Sequence, residues 1–355
     1  MKVLFLTHSG RQDSSSRVRL LQYIPFLKQN SIQVDVSSLL SDEYVLRMIS
    51  GNSIKSYWNL ILSGYWNRIK ILFKLKSYDL IIIHKEIFPY FPPLVERLIY
   101  LMKIAYVVDY DDATFHKYDN HKNWFIRLFL GKKIDIIMKL SNVVIIGNKY
   151  LSSRAQLSGA NRIEIIPSVV DLNKYNDVKS NYGKQLVVGW IGSPSTGKYL
   201  LQIKSIFQLL KKEFDVRFVV VGCNKDIVKE LPVEVFSWSE ETEVQLIKSF
   251  DIGIMPLKDS KWEQGKCGYK LIQYMACGIP VVASPIGINT QIVQNGINGF
   301  LAEDIIEWEQ ALRKLLSNES LRRFMGKNGR KRVVEEYSIQ VQSKKLIKII
   351  NSLLN

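Results

Sequence analysis

Hydrophobic positions along the chain fall into short continuous runs separated by stretches with helical spacing. Residues 2–7 form an apolar run of strand length, the polar loop HSGRQDSSS follows, and Ser16 is suited to cap a helix over 17–29. Further apolar runs at 32–37, 80–84, 105–108 and 143–146 alternate with helical patterns. A run that is apolar at every position, rather than at every second one, suits a parallel strand covered on both faces. After IIPS at 165–168 come VVDLNKY and the polar NDVKSNYGK, which read as a linker. The alternation then restarts with strand 186–191, helix 198–212, strands 217–222 and 233–236, helix 240–249, strand 252–255, helix 269–276 and strand 279–283. Two successive β–α series predict an α/β chain with two doubly wound parallel sheets. The expected domains are 1–170 and 185–337, joined by a linker at 171–184 and followed by a basic helical tail. In sheets of this kind ligands bind outside the carboxyl ends of the strands.

At 355 residues, each of two domains can bury a substantial core. No apolar run reaches the roughly 18 residues of a spanning helix, and Met1-Lys2 leads straight into the first strand, so a cytoplasmic location is expected. Cys223, Cys267 and Cys277 are an odd number without CxxC spacing, which predicts reduced thiols rather than a disulfide framework or a zinc site. His8, His84, His116 and His121 show no metal-ligand spacing, and no metal centre is expected.

The formal charge of +16 first suggests nucleic acid, but its distribution argues against that partner. Residues 1–175 hold 24 Lys/Arg against 14 Asp/Glu. Within them, 51–78 carry Lys55, Arg68, Lys70, Lys74 and Lys76 with no acid, interleaved with Trp58, Tyr65, Trp66, Ile71, Leu72 and Phe73. A second such stretch, 121–140, places Trp124, Phe125, Leu128 and Phe129 among Lys122, Arg127, Lys132, Lys133 and Lys139. Aromatic and aliphatic residues between cations suit a segment lying on an anionic membrane surface. Two ordinary amphipathic helices with solvated basic faces are the alternative.

Residues 262–301, WEQGKCGYKLIQYMACGIPVVASPIGINTQIVQNGINGFL, combine a glycine-rich loop, a short helix, a buried strand and a second glycine-marked turn. Gly265 and Gly268 allow close backbone approach to a ligand, and the following helix would aim N–H groups at an anion such as a diphosphate. With its MAxGxPVVAS and NGxNGFL elements, this stretch resembles the donor-site segment of retaining GT-B glycosyltransferases of family 4, the glycosyl transferases group 1. The resemblance is close over 186–310, extends to IPSVVDLNKY, and in the first domain rests mainly on the loop after the first strand and on SSRVR. It implies two Rossmann-like domains facing across a cleft, with part of the last helix, 338–355, packing back on the first domain.

Gly192 and Ser193 leave a strand and open the loop SPSTGKYL. There, backbone N–H groups, the Ser195 and Thr196 hydroxyls and the Lys198 ammonium can meet phosphate oxygens; an ordinary β–α turn is the alternative. The family's pair of glutamates, eight positions apart, is replaced by Gly265 and Gln273. Gln273 still offers hydrogen bonds to ribose hydroxyls, while Lys266 and Lys270 add cations for a diphosphate or an acidic sugar. Cys267, Gly268 and Tyr269 complete the expected donor-binding set, and Asp259 and Glu263 are possible substitute acids. In the first domain Asp109-Tyr110-Asp111-Asp112 follows a strand, where many relatives carry a His-Asp pair facing the acceptor. Three carboxylates at a strand's end are costly to pack unless they have a task, though capping or loop roles are the alternative. Asp111 or Asp112 is expected to accept the acceptor hydroxyl's proton or to orient the sugar, with His116 as a second candidate. Gly10, Ser14 to Ser16, Arg17 and Arg19 are expected to form the opposite wall, the arginines suiting an acceptor phosphate.

The expected function is transfer of a sugar from a nucleotide-diphosphate sugar to a hydroxyl of a saccharide or polyprenyl-diphosphate-linked acceptor, in surface polysaccharide or glycan assembly. Retention at the anomeric carbon is what the resemblance implies. Lysines and helix N-termini would hold the diphosphate in place of a metal, so no cofactor is expected. The protein would sit peripherally on the inner face of the cell membrane. An epimerase or hydrolase of the same fold, or a non-catalytic sugar-nucleotide-binding protein at the membrane, are the rival readings.

Overall fold

A computed structural model describes residues 1–49, 57–176 and 185–353; Lys55 and the linker positions 177–184 lie outside the described residues. The chain forms two compact units. One comprises Met1–Ser168, Gln264–Cys267 and Gln342–Asn355, the other Val169–Glu263 and Gly268–Val341. Among the described residues no helix is long and apolar enough to cross a membrane.

The first unit is built on a parallel sheet of β1 (Lys2–Ser9), β2 (Gln33–Leu40), β3 (Leu80–His84), β4 (Tyr106–Tyr110), β5 (Val143–Ile146) and β6 (Ile163–Ile165), in the order β2-β1-β3-β4-β5-β6. β3, β4 and β5 are buried at every position, which their largely apolar sequences make favourable, with His84 and Asp109 as the buried polar exceptions. Strand order reverses between β1 and β3, and this opens a crevice at the carboxyl ends of these two strands. The register pairs His84 with Asp109, so the residues that leave β3 and β4 emerge side by side. In the same unit Lys345, on the last helix, donates to the Ile165 carbonyl at 3.1 Å and pairs with Glu164 at 3.2 Å.

The second unit repeats the plan with β7 (Leu186–Ile191), β8 (Val216–Val221), β9 (Glu234–Phe236), β10 (Ile252–Met255), β11 (Val281–Ala283) and β12 (Gly299–Leu301), ordered β12-β11-β10-β7-β8-β9 and parallel throughout. Its reversal lies between β7 and β10, so the loop that begins at Gly192 starts at the ligand-binding position of such a sheet. Asp304 and Asn318 cap its helices Ile305–Ser317 and Glu319–Glu336 through their side-chain oxygens.

Three expected elements differ in detail. The helix expected over 17–29 is divided into Ser14–Arg19, a 3₁₀ turn Leu21–Tyr23 and Ile24–Gln29. Pro25 has no N–H to continue a helix through that point and instead helps to start a new one. Asp13 rather than Ser16 is the cap, accepting from the Ser16 N–H at 2.9 Å. β4 runs on to Tyr110, beyond 105–108, which puts Asp109 inside the sheet. The stretch expected as helix 198–212 begins as a 3₁₀ segment, Lys198–Ile203, and is α-helical over Lys204–Glu213.

Candidate functional site

At the carboxyl ends of β1, β3 and β4, the first unit gathers charged and hydroxyl groups. The Asp111 carboxylate accepts from the Ser15 hydroxyl, pairs with Lys85 Nζ at 3.1 Å and faces His84 Nε2 at 3.6 Å. Ser15 Oγ also lies 3.0 Å from His84 Nε2, and Ser16 Oγ lies 3.4 Å from His84 Nδ1. Asp112 pairs with the same lysine at 3.8 Å. Burial alone would raise the Asp111 carboxyl, but Lys85, then His84, outweigh it and hold the group well below the usual carboxylate range. Burial and the neighbouring Asp111 charge push Asp112 the other way, with Lys85 and Lys266 opposing the rise. Two adjacent carboxylates thus have opposite tendencies, the pattern that separates a fixed anion from a group able to exchange a proton. His8 is lowered to about 3 by burial and by the Lys85 and His84 charges, and stays neutral.

Other expected members of this site have structural work. Arg19 is buried, binds Asp109 through two hydrogen bonds at 2.9 and 2.7 Å, and donates to the Ile166 carbonyl at 2.7 Å. Asp109 is therefore the anion of an internal ion pair, and Arg19 does not present itself to an acceptor phosphate as expected. Arg17 is also buried and donates to the Arg11 carbonyl at 3.2 Å. Ser16 is buried, its hydroxyl donating to Asp13 at 2.9 Å and accepting the Ser9 N–H at 3.2 Å. Gly10 leaves room for Asp42, whose Oδ1 would lie 2.4 Å from a Cβ at that position. His116 belongs to a different network: Nδ1 lies 2.8 Å from Asp119 Oδ1 and Nε2 lies 2.7 Å from the Tyr150 hydroxyl.

The glycine-rich segment is divided between the units. Gln264–Cys267 belongs to the first, where Asn148 Nδ2 donates to the Gly265 and Lys266 carbonyls, each at 2.9 Å. Lys266 there contributes to the field at Asp112. Cys267 is a core residue of that unit, packed so closely on Gly147 that a Cβ on the glycine would lie 2.0 Å from its sulfur. Burial raises its thiol well above the usual range. The Cys267 side chain therefore packs and is not presented to a donor.

Gly268 starts the second unit's helix Tyr269–Ala276 with φ of 64°, and a Cβ there would lie 2.4 Å from Ile292 Cδ1, so both backbone and packing require glycine. No side chain caps this helix. At the second position of this helix, Lys270 extends back to the loop after β7: its Nζ lies 4.0 Å from the centre of the Trp190 ring and 3.3 Å from Thr196 Oγ1. A Cβ on Gly192 would lie 2.3 Å from that Nζ, so the glycine gives the ammonium its place. Ser193 Oγ and Ser195 Oγ are 2.9 Å apart, and both residues are exposed. The structure thus brings together Gly192, Ser193, Ser195, Thr196 and Lys270. Lys198 is exposed, with Nζ 5.6 Å from the Tyr199 ring centre. Gln273 is buried and donates to the Tyr175 hydroxyl at 3.2 Å. Glu263 is buried as well, accepting from the Tyr199 and Ser260 hydroxyls.

Sequence pattern singles out neither His84 nor Lys85. Their signal is positional, since His84 ends the buried run LIIIH and Lys85 follows it, beside the point where the strand order reverses, and that order is not readable from spacing. Among the described residues no group of three or more His, Cys, Asp or Glu side chains is placed to hold a metal ion.

Residues 185–318 match the family model described as glycosyl transferases group 1. An uncharacterized glycosyltransferase of Methanocaldococcus jannaschii is 31% identical over 117 residues, 32% of this chain and 29% of that protein. The capsular polysaccharide biosynthesis glycosyltransferase CapM of Staphylococcus aureus is 24% identical over 196 residues, half of each chain. The match thus spans about a third to a half of the length of these curated relatives. The crystal structure of Anabaena HepE in complex with UDP and glucose has the same fold, with a TM-score of 0.71 at 17% identity, covering 99% of this chain and 100% of that one. The chain thus has the α/β fold of two six-stranded parallel sheets found in GT-B structures, and the match over residues 185–318 supports a glycosyltransferase family, group 1.

Proposed function

We propose that the protein transfers a sugar from a nucleotide-diphosphate sugar to a hydroxyl of a saccharide acceptor, with retention at the anomeric carbon. The observation that carries this reading is the grouping of Lys270, Thr196, Ser193 and Gly192 at the carboxyl end of β7, inside the segment that matches the family. An ammonium, two hydroxyls and an uncapped helix start form a cradle for two phosphate groups, and they supply the charge a metal would otherwise bring. In the transfer, the acceptor oxygen bonds to the anomeric carbon on the face from which the diphosphate departs, as the bond from that carbon to the diphosphate oxygen breaks, so that configuration is retained. The electron pair leaves with the diphosphate, and the hydroxyl proton passes to a carboxylate. Asp112 suits that last role, because its pKa is displaced toward working pH while Asp111 is held as a fixed anion.

The reading extends to an acceptor carried on a polyprenyl diphosphate at an anionic membrane. Two first-unit helices support it, Trp58–Leu72 with Trp58, Leu62 and Trp66 exposed, and Trp124–Leu130 with Trp124, Phe125, Leu128 and Phe129 exposed. A third helix, Leu94–Leu101, exposes Leu94, Leu98 and Leu101 and keeps its one acid, Glu96, buried. Exposed apolar side chains beside cations, with the acid turned inward, suit an anionic lipid surface.

The test is product formation from a panel of labelled nucleotide sugars, with free and with lipid-linked saccharide acceptors, in the presence and absence of a chelator. Transfer that survives the chelator is expected. Hydrolysis or epimerisation without transfer would replace the reading with a rival activity on this fold, and binding without turnover would make the protein a sugar-nucleotide receptor. Activity abolished by chelator and restored by magnesium or manganese would overturn the metal-free part.

A further inference from the structure

Lys85 leaves β3 with φ of 69°, a left-handed backbone that is costly for a residue with a side chain and persists only where its surroundings offset the strain. Glycine is the residue that takes such a turn without strain. The surroundings here do hold the lysine: its N–H donates to the Asp109 carbonyl at 3.0 Å, continuing the β3–β4 ladder. Its Nζ then lies 3.1 Å from Asp111 Oδ1 and 3.8 Å from Asp112 Oδ2. The two carboxylates differ in what else they meet. Asp111 also accepts from Ser15 and faces His84, and its side chain is 12% exposed. Asp112 is 29% exposed and, among the described residues, pairs with Lys85 alone.

We propose that Lys85 is a positioning residue: it ties Asp111 into the Ser15–His84 network and leaves Asp112 as the carboxylate open to the acceptor hydroxyl. The inference rests on the glycosyl-transfer reading above for the identity of that hydroxyl, but the charge arrangement it describes can be measured without turnover. The groups facing the pair come from several elements: Asp13 and Ser15 from the loop and helix after β1, Arg19 from that helix, His84 from β3, and Lys266 from the Gln264–Cys267 segment. Lys85 also faces His8 at the end of β1, together with His84, Asp13 and Lys117. Deleting the Lys85 ammonium removes a cation that favours ionised Asp111 and Asp112 and disfavours protonated His8. Both carboxylates and His8 should then hold their protons to higher pH.

The experiment compares Lys85→Met, Lys85→Gly and Lys85→Arg in the full chain. Lys85→Gly deletes the ammonium while relieving the left-handed backbone, so it guards against a result that merely reports misfolding. The acid limb of the pH profile of kcat/KM is expected to move up by about one unit or more in Met and Gly, the size of effect an opposite charge within ~4–6 Å produces, and to stay in place in Arg. Donor dissociation constants should be unchanged in all three. Independently of activity, histidine ring resonances followed by NMR should show His8 titrating at higher pH in Met and Gly but not in Arg. An acid limb and a His8 titration that are the same in all four proteins would overturn the proposal. If no nucleotide sugar supports transfer by the wild-type protein, the glycosyl-transfer reading falls, while the His8 titration still decides what Lys85 does.

Discussion

The two units share a parallel six-stranded plan and use it in opposite ways. The first buries its charges: Arg19, Arg68, His84, Glu86, Glu96, Asp109 and Lys133 are all inside, while aromatic and aliphatic side chains stand outside on three helices. The second buries fewer charges, Glu243, Asp251, Glu263 and Arg322, and presents after β7 a loop of small hydroxyl residues under one lysine. Burying a charge is costly unless it is paired, so an interior of ion pairs such as Arg19 with Asp109 and Lys133 with Glu86 is arranged chemistry rather than filler. A loop that presents hydroxyls and glycine at a strand end is suited instead to holding a ligand's phosphates. On the proposed reading, one sheet topology serves proton handling in one copy and anion binding in the other, since both place their loops at the strand-order reversal.

The largest expected effect tests the first unit's half of that contrast. Asp112→Asn should lower turnover about 100-fold or more and leave donor affinity nearly unchanged, as the loss of a proton acceptor would. A comparable loss of nucleotide-sugar binding in the same variant would move the residue to the donor side and erase the contrast. Next in size, Lys270→Ala removes a charge-assisted contact worth about 1.5–3 kcal/mol, so donor affinity should fall roughly 10- to 100-fold by calorimetry. Lys266→Ala should leave donor affinity largely intact and show its effect in the pH profile, because its field falls on Asp112. Equal donor-binding losses in both lysine variants would mean that the glycine-rich segment works as one donor site after all.

The membrane face is a smaller and cumulative effect. Lys70→Glu and Lys74→Glu together should weaken sedimentation with anionic vesicles, each basic residue near such a surface being worth about 1 kcal/mol. Lys211→Glu with Lys212→Glu, on the second unit, should not. If both pairs change sedimentation alike, attraction follows net charge and the exposed aromatic helices have no special part. The smallest expected effect is on acid stability. His8 titrates at about 3 in the fold against an ordinary 6.5, so between those values the unfolded chain binds more protons and stability falls as pH drops. His8→Asn should therefore lose less stability than wild type between about pH 7 and about pH 5 in urea unfolding, and an identical loss in both would remove His8 from the buried network.

Much of this protein's fold is legible in its sequence. Unbroken apolar runs such as LIIIH and VVII announce buried parallel strands, their alternation with helical spacing announces two doubly wound sheets, and the stretch from Gly268 to Leu301 carries the glycines and the apolar strand its turns require. Local rules suffice there, because each feature depends on a few consecutive residues. What spacing left open is which side chains meet. Asp109, Asp111 and Asp112 read as one acidic cluster, yet a strand that ends two residues later than expected turns Asp109 inward to Arg19, 90 positions away, and leaves the other two beyond the sheet. Lys266 and Lys270 read as equivalent flanking cations, but one lies with the first unit and the other extends over Trp190 to Thr196. His84 and Lys85 carry no motif at all; strand order and register set them beside Asp111. Secondary structure follows from short-range pattern, whereas ion pairs and pKa displacements depend on distances between residues far apart in the chain, and only the tertiary fold determines those distances.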